Sequence, residues 1–313
     1  MRIFITGATG LIGRSLVPEL LRHGHDVIGL ARNDASRSML SAMRAVSHSG
    51  QGYDVERLAE ALVTIHAIVH LATGMPTNDA PIEDDWVHSG KLVVAMLRHL
   101  LEASELSGVR TVVFPSIYSV YGDHGEEWVT EETPLAPDSA SEWYVEAEGL
   151  LMDSTRRRRS AGVVLRMGLV YSEEASHTRG LLYALKNGQA PIGSAGEAYW
   201  PHLHVEDAAQ AIRLALERSP AGQTFNVCDD EPVQKATLFR DLAKWVGGPP
   251  PLLKGKTGAL MPYLGRVNAA PLQLSVRMSN QKAKESLGFA PRYRTYHAGY
   301  PPIIEEWRRK ASA

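Results

Sequence analysis

Apolar and polar positions alternate in blocks along the chain. "RIFIT" (residues 2–6) is a short β-branched run, and "HDVIGLA" (25–31), "AIVHLA" (67–72), "VRTVVF" (109–114), "AGVVLRM" (161–167) and "QTFNV" (223–227) have the same strand character. Helical spacing separates them. In 11–22, Leu11, Leu16, Leu20 and Leu21 fall on one face, and helices are also predicted over 55–63, about 85–106, 141–157 and 205–217. This alternation predicts an α/β fold of the Rossmann type, a doubly wound parallel sheet with right-handed crossovers and helices on both faces. Ligands of such sheets bind beyond the carboxyl ends of the strands.

Past residue 172 the alternation loosens. "GQAPIGSAGEAYWP" (188–201) is a turn-rich insertion, "GGPPPLL" (247–253) a stiff loop, and 251–300 has weak periodicity. The expected organisation is a cofactor-binding unit over 1–171, rejoined by 200–228, and a smaller substrate-binding part over 172–199 and 229–313.

The turn after the first strand changes the picture from fold to chemistry. "TGATGLIG" (6–13) sets Gly7, Gly10 and Gly13 between strand and helix, with Thr9, Leu11 and Ile12 among them. Glycine permits the strand-to-helix reversal and the close approach of a pyrophosphate, whose charge a helix N-terminus favours. An NAD-preferring site usually ends its second strand with an acid for the ribose hydroxyls. Here the strand ends "GLARND", with Ala31 at that place, then Arg32 and Asn33. A guanidinium pairs well with a 2′-phosphate. Arg14 and Arg37 add charge, so NADP(H) is the expected cofactor.

Composition narrows the partners. The 313 residues are 44% hydrophobic and 22% charged, with a formal net charge of −2, so no basic field draws the chain to nucleic acid or an anionic membrane. "RRRR" (156–159) reads as a solvated helix end, and no apolar stretch approaches the ~18 residues of a membrane span. The single cysteine, Cys228, excludes an internal disulfide and reads as a small core residue. A cytoplasmic protein with no metal is expected; its oligomeric state is not legible.

"TGATGLIG", "AIVHLA", "SVYG", "EETPLAP", "LRMGLVY", "PHLHVEDAAQAI", "QTFNVCDDEPV" and "KESLGFAPRY" occur in one order through nearly the whole chain. In this the sequence resembles the extended short-chain dehydrogenase/reductases, the group containing NDP-sugar epimerases and dehydratases. The resemblance implies that Leu71, Ala72 and Thr73 line the cofactor and that Met167 to Val170, Leu169 among them, lie near the nicotinamide. It also implies a Ser, a Tyr and a Lys for proton transfer, and these are missing. Counting back from Tyr121 puts Ile117 at the Ser place; Ser116 is adjacent, expected to face the other way. In "SASEWYVEAEGLL" (139–151), matching Glu148 to the family's Glu puts Tyr144 at the Lys place and Ala140 at the Tyr place. In the alternative register Tyr144 is the catalytic Tyr and Glu148 replaces Lys, where its charge would raise the phenol pKa. The family's supporting Asn falls near Val93, and the nearest lysine, Lys91, is on a different helix.

Tyr118, Tyr144 and Ser116 remain as candidates for proton transfer, beside water and the substrate itself. Tyr118, Tyr199, Trp200 and His202 are candidate substrate walls, His204 a helix cap, and "ALMPYLGRV" (259–267) either a lid or core. Fold motifs with this set of losses resemble family members that reduce a bulky aromatic polyketide ketone in antibiotic biosynthesis with NADPH. Such a ketone with a neighbouring phenol can furnish its own proton. Two other functions compete: an NDP-sugar epimerase or dehydratase, and a non-catalytic NADP-binding regulator.

Overall fold

The computed structural model describes residues 1–52, 54–73, 83–190, 196–251 and 273–311. The chain runs β1 (Arg2–Thr6), α1 (Leu11–Arg22), β2 (Asp26–Ala31), α2 (Asp34–Ala42), β3 (Val46–Ser49), α3 (Val55–Leu62), β4 (Ala67–His70), α4 (Glu83–Ser107) and β5 (Thr111–Ile117). A 3-10 turn, Tyr118–Tyr121, leads to β6 (Trp128–Val129), α5 (Glu142–Arg156), β7 (Ala161–Met167), β8 (Leu169–Tyr171) and α6 (Ser176–Lys186). Then come β9 (Tyr199–Trp200), β10 (His202–His204), α7 (Val205–Arg218), β11 (Gln223–Val227), β12 (Val233–Gln234), α8 (Lys235–Val246), β13 (Arg277–Met278), α9 (Gln281–Leu287) and α10 (Tyr296–Ala311).

Seven strands form one parallel sheet in the order β3-β2-β1-β4-β5-β7-β11, the doubly wound arrangement that the alternating pattern predicts. Both faces are covered, so the inner strands are mostly apolar. Ile3 and Ile5 of β1 join α1, α7 and α9 in one core, while Phe4 joins α3, α4 and α5 in another. A third core, around Leu182, Phe239 and Tyr300, unites α6, α8 and α10. The order reverses between β1 and β4, which opens a crevice at their carboxyl ends.

Two elements of the sheet region escape the hydrophobic pattern. β3 reads Val-Ser-His-Ser and lies at the sheet edge, where polar residues are tolerated and Val46 is 59% exposed. α2 buries only Leu40. β5 runs further than its apolar stretch, through Pro115 and Ser116 to Ile117. No described helix is long and apolar enough to cross a membrane.

Candidate active site

The turn after β1 is built for close approach. Gly7 has φ +73°, and a Cβ there would lie 2.6 Å from the Leu71 carbonyl carbon and 2.7 Å from the Ala72 nitrogen. Side-chain-free backbone thus lets the ends of β1 and β4 meet at the switch point. Gly10 donates its N–H to the Gly7 carbonyl at 2.9 Å and starts α1 with no side-chain cap. A Cβ on Gly13 would overlap the Gly7 carbonyl oxygen and Ala8. Together these leave a backbone cradle at a helix N-terminus that fits a dinucleotide pyrophosphate. Arg14 beside it donates Nε–H to Glu174 at 2.8 Å and Nη1–H to the Thr9 carbonyl at 3.2 Å.

At the end of β2, Ala31 is buried and Arg32 exposed. Asn33 caps α2, accepting the Ser36 N–H at 2.9 Å. Arg37 pairs with Asp34 and reaches Ser49 Oγ at 3.4 Å.

From the cradle a cavity of about 520 Å³ runs across the strand ends. Gly7, Gly10, Leu11, Ile12, Gly13, Arg14, Leu71 and Thr73 border one part of it, and Met167, Leu169 and Val170 another. Its far end is bordered by Ser116, Ile117, Tyr118, Ser119, Ser141, Trp143 and Tyr144. That volume suits a small-molecule ligand. Ser116 and Ile117 both border the cavity although they alternate on β5, because the strand ends at Ile117 and turns there. Ser116 Oγ is buried without a hydrogen-bond partner.

Among the described residues, no Tyr–Lys pair stands at this end. Tyr144 projects from the first turn of α5, and Glu148, one turn on, is drawn away to Arg166 of β7: Arg166 Nη2 donates to Glu148 Oε2 at 2.7 Å. The expected effect of Glu148 on the phenol is therefore not the operative one. Burial pushes the Tyr144 hydroxyl above the ordinary tyrosine range. Tyr118, wholly buried, is pushed up by burial and then by the charge of Asp138. Lys91 lies exposed on α4, and the Val93 carbonyl accepts a hydrogen bond from His70 Nε2 at 3.2 Å.

The remaining candidates lie elsewhere. Thr9, Ala72, Arg32 and Asn33 are outside the cavity lining. So are Tyr199, Trp200 and His202: Arg277 sits 5.1 Å above the Tyr199 ring, Trp200 packs in the α6–α8–α10 core, and His202 is wholly buried with its ring 5.7 Å from that of Tyr171. His204 caps α7, accepting the Glu206 N–H at 3.3 Å. Cys228 is wholly buried and donates to the Met278 carbonyl. The 259–267 stretch lies outside the described residues.

Sequence reasoning passed over several residues that border the cavity, among them Pro115, His177 and the following four. Ser119 and Ser141 form a buried hydroxyl pair, Oγ to Oγ 2.8 Å. Trp143 stacks on Tyr144 at 3.5 Å between ring centroids, and Glu174 holds Arg14. Only Trp143 carries a signal in the sequence, a large aromatic on the face where the catalytic pair was sought.

The sequence profile of the NAD dependent epimerase/dehydratase family matches residues 3–228. A 3-diazoavenalumate denitrifying reductase from Streptomyces sp is 30% identical over 96% of this chain and 99% of its own length. A 4-hydroxy-2-methyl-3-oxo-4-farnesyl-3,4-dihydroquinoline-1-oxide ketoreductase from Stigmatella aurantiaca is 23% identical over 93% of this chain and 92% of its own. Among solved structures, the dTDP-glucose 4,6-dehydratase of Streptomyces venezuelae, with NAD bound, superposes with a TM-score of 0.78 at 21% identity, covering 99% of this chain and 97% of that one. With the profile spanning most of the chain and the glycine cradle at its switch point, the chain belongs to the NAD dependent epimerase/dehydratase family, whose members are nicotinamide-dinucleotide-dependent enzymes of the reductase and epimerase kind.

Proposed function

We propose that the chain is an NADPH-dependent ketoreductase of a bulky aromatic ketone of the polyketide type, with the proton supplied by the substrate or by water. The observation that carries this reading is the missing base. Among the described residues, Tyr144 has no lysine beside it, and the carboxylate one turn on, Glu148, is committed to Arg166. When bound, the nicotinamide supplies the hydride. The chain's own residues then hold and orient: the glycines of the cradle take the pyrophosphate, and Arg32, exposed where an acid would mark NAD preference, takes the 2′-phosphate. The apolar wall of Ile117, Met167, Leu169 and Val170 shields the nicotinamide end of the cavity from bulk solvent. The phenols of Tyr118 and Tyr144, pushed up, stay protonated and serve at most as hydrogen-bond donors.

This disfavours the NDP-sugar epimerase or dehydratase reading, in which an alcohol must lose its proton to a strong base first. Two relatives are named as reductases, one of them a ketoreductase, which supports the reductive direction. The proposal includes a cofactor unit of 1–171 with 200–228, a substrate part of 172–199 with 229–313, and a cytoplasmic location. The experiment is to mix the protein with NADPH and a panel of aromatic ketones, with and without a phenol beside the carbonyl, and follow nicotinamide absorbance. Turnover confined to the phenolic ketones is expected. Tight NADPH binding with no ketone reduced would turn the reading toward a non-catalytic regulator, and release of a keto-sugar from an NDP-sugar toward an epimerase or dehydratase.

A further inference from the structure

We propose that Trp143 and Tyr144, seated by Gly90, form an aromatic wall that docks a flat polycyclic ring system at the far end of the cavity. The inference rests on the ketoreductase reading for its setting but makes its own claim: which residues recognise the rings.

Consecutive residues on a helix point about 100° apart and do not face each other. Trp143 and Tyr144 nevertheless stack, with ring centroids 3.5 Å apart and planes 26° from parallel. Gly90 of α4 explains how. It is buried in the middle of a helix, and a Cβ there would overlap the indole of Trp143. Its φ is not in the left-handed region, so the backbone does not require glycine. Mid-helix glycine is otherwise unfavourable, and what its bare Cα provides here is the slot for the indole. Behind Tyr144 lies Phe114 of β5, 6.4 Å between centroids, and behind Phe114 lies His70, 5.9 Å away. The rings thus form a continuous row from the sheet to the cavity, braced on the side away from the ligand.

Both Trp143 and Tyr144 border the cavity, alongside the apolar Ile117 and Leu169. Flat aromatic ligands pack on such rings in offset or edge-on contact. The end of the site that lacks a proton-transfer pair therefore presents aromatic area in its place, which fits a fused-ring ketone.

The probe is 1,8-dihydroxyanthraquinone, a planar phenolic ketone, with binding measured by calorimetry in the presence of NADP⁺. Trp143→Ala should weaken it by about fivefold to tenfold, and Trp143→Phe should restore most of the affinity. Gly90→Ala should weaken it similarly by evicting the indole. NADPH affinity should stay unchanged in all three, which also serves as the test of folding. If Gly90→Ala fails to fold, the Trp143 pair of variants still decides. Unchanged quinone affinity in Trp143→Ala, with only the melting temperature lowered, would mean that Trp143 merely packs α5 on α4, and would overturn the proposal. Quinone binding through Trp143 without reduction of any aromatic ketone would keep the wall and remove the ketoreductase reading. Full aromatic-ketone turnover with unaltered KM in Trp143→Ala would do the reverse.

Discussion

Glu148 and Arg166 meet in a buried, multiply bonded ion pair. Arg166 Nη2 donates to Glu148 Oε2 at 2.7 Å and its Nε lies 3.2 Å from both carboxylate oxygens, while Nη1 donates to Tyr121 Oη at 2.9 Å. Tyr121 in turn donates to Asn226 Oδ1 at 2.6 Å, so α5, the 3-10 turn, β7 and β11 are tied by one polar chain. Breaking such a pair strands a charge in the interior and costs about 3–5 kcal/mol. Glu148→Gln or Arg166→Met alone should lower urea stability by that amount, and the double variant should recover part of the loss. Additive losses in the double variant would contradict the pairing.

The cradle leads to a sharper test of cofactor binding. Gly13→Ala puts a methyl group against the Gly7 carbonyl. The turn must open, and NADPH affinity should fall at least about tenfold while the far-ultraviolet circular dichroism stays that of wild type. Fluorescence titration of NADPH decides it.

Arg32 and Glu174 should act in opposite directions. Arg32→Ala should remove about tenfold or more of the preference for NADPH over NADH. Glu174 is 59% exposed and holds Arg14 at 2.8 Å next to the cradle. Glu174→Gln frees that guanidinium and removes a negative charge, so NADPH should bind about two to five times more tightly, with the gain shrinking at high salt. A Glu174→Gln variant that binds NADPH more weakly would mean the carboxylate positions Arg14 rather than competing for it.

The two phenols lead to a negative expectation. Burial holds Tyr118 and Tyr144 protonated well above neutral pH. Tyr118→Phe and Tyr144→Phe should each keep kcat/KM within about tenfold of wild type, with no change in its pH profile between about pH 6 and 9. A thousandfold loss in either would restore a tyrosine to the role of proton donor.

Acid should destabilise the fold through its interior histidines. Burial depresses His70 and His202 to about 4, against an ordinary 6.5. His70 is held neutral by geometry as well: Nε2 donates to the Val93 carbonyl and Nδ1 accepts from Thr6 Oγ1 at 2.6 Å. The folded state then binds fewer protons than the unfolded one, so the stabilisation is complete above pH 6.5 and fades as pH falls toward 4. Each histidine contributes on the order of a few kcal/mol to that loss. Urea midpoints should drop between pH 7 and pH 5, and His70→Gln should flatten the curve.

The strands and the glycine turn are legible in the sequence because their causes are local: a β-branched run, then residues that must lack a side chain. β3 is not, since its edge position and not its composition makes Val-Ser-His-Ser a strand. The far end of the cavity is illegible for another reason. Ser119 meets Ser141, Trp143 fills the space above Gly90, and Glu148 reaches Arg166 only through the fold. No spacing rule links those positions. Trp200 and His202 show the converse: they carry the chemistry expected of a substrate wall, but the fold turns them into the α6–α8–α10 region, away from the cavity lining.

The outermost strand, β11, arrives late. It pairs with β7 from Gln223↔Val163 to Val227↔Met167, and α7, just before it, covers α1 with Ala208, Ile212 and Ala215 in a common core. During synthesis the growing chain therefore exposes the bare edge of β7 and the apolar side of α1 until α7 and β11 emerge. At ~5–20 residues per second that interval lasts several seconds. An unpaired parallel edge is a template for pairing with another chain, so the nascent protein depends on dilution or a chaperone through that window, and a gene shortened after β7 would yield aggregates instead of a free-standing nucleotide-binding unit.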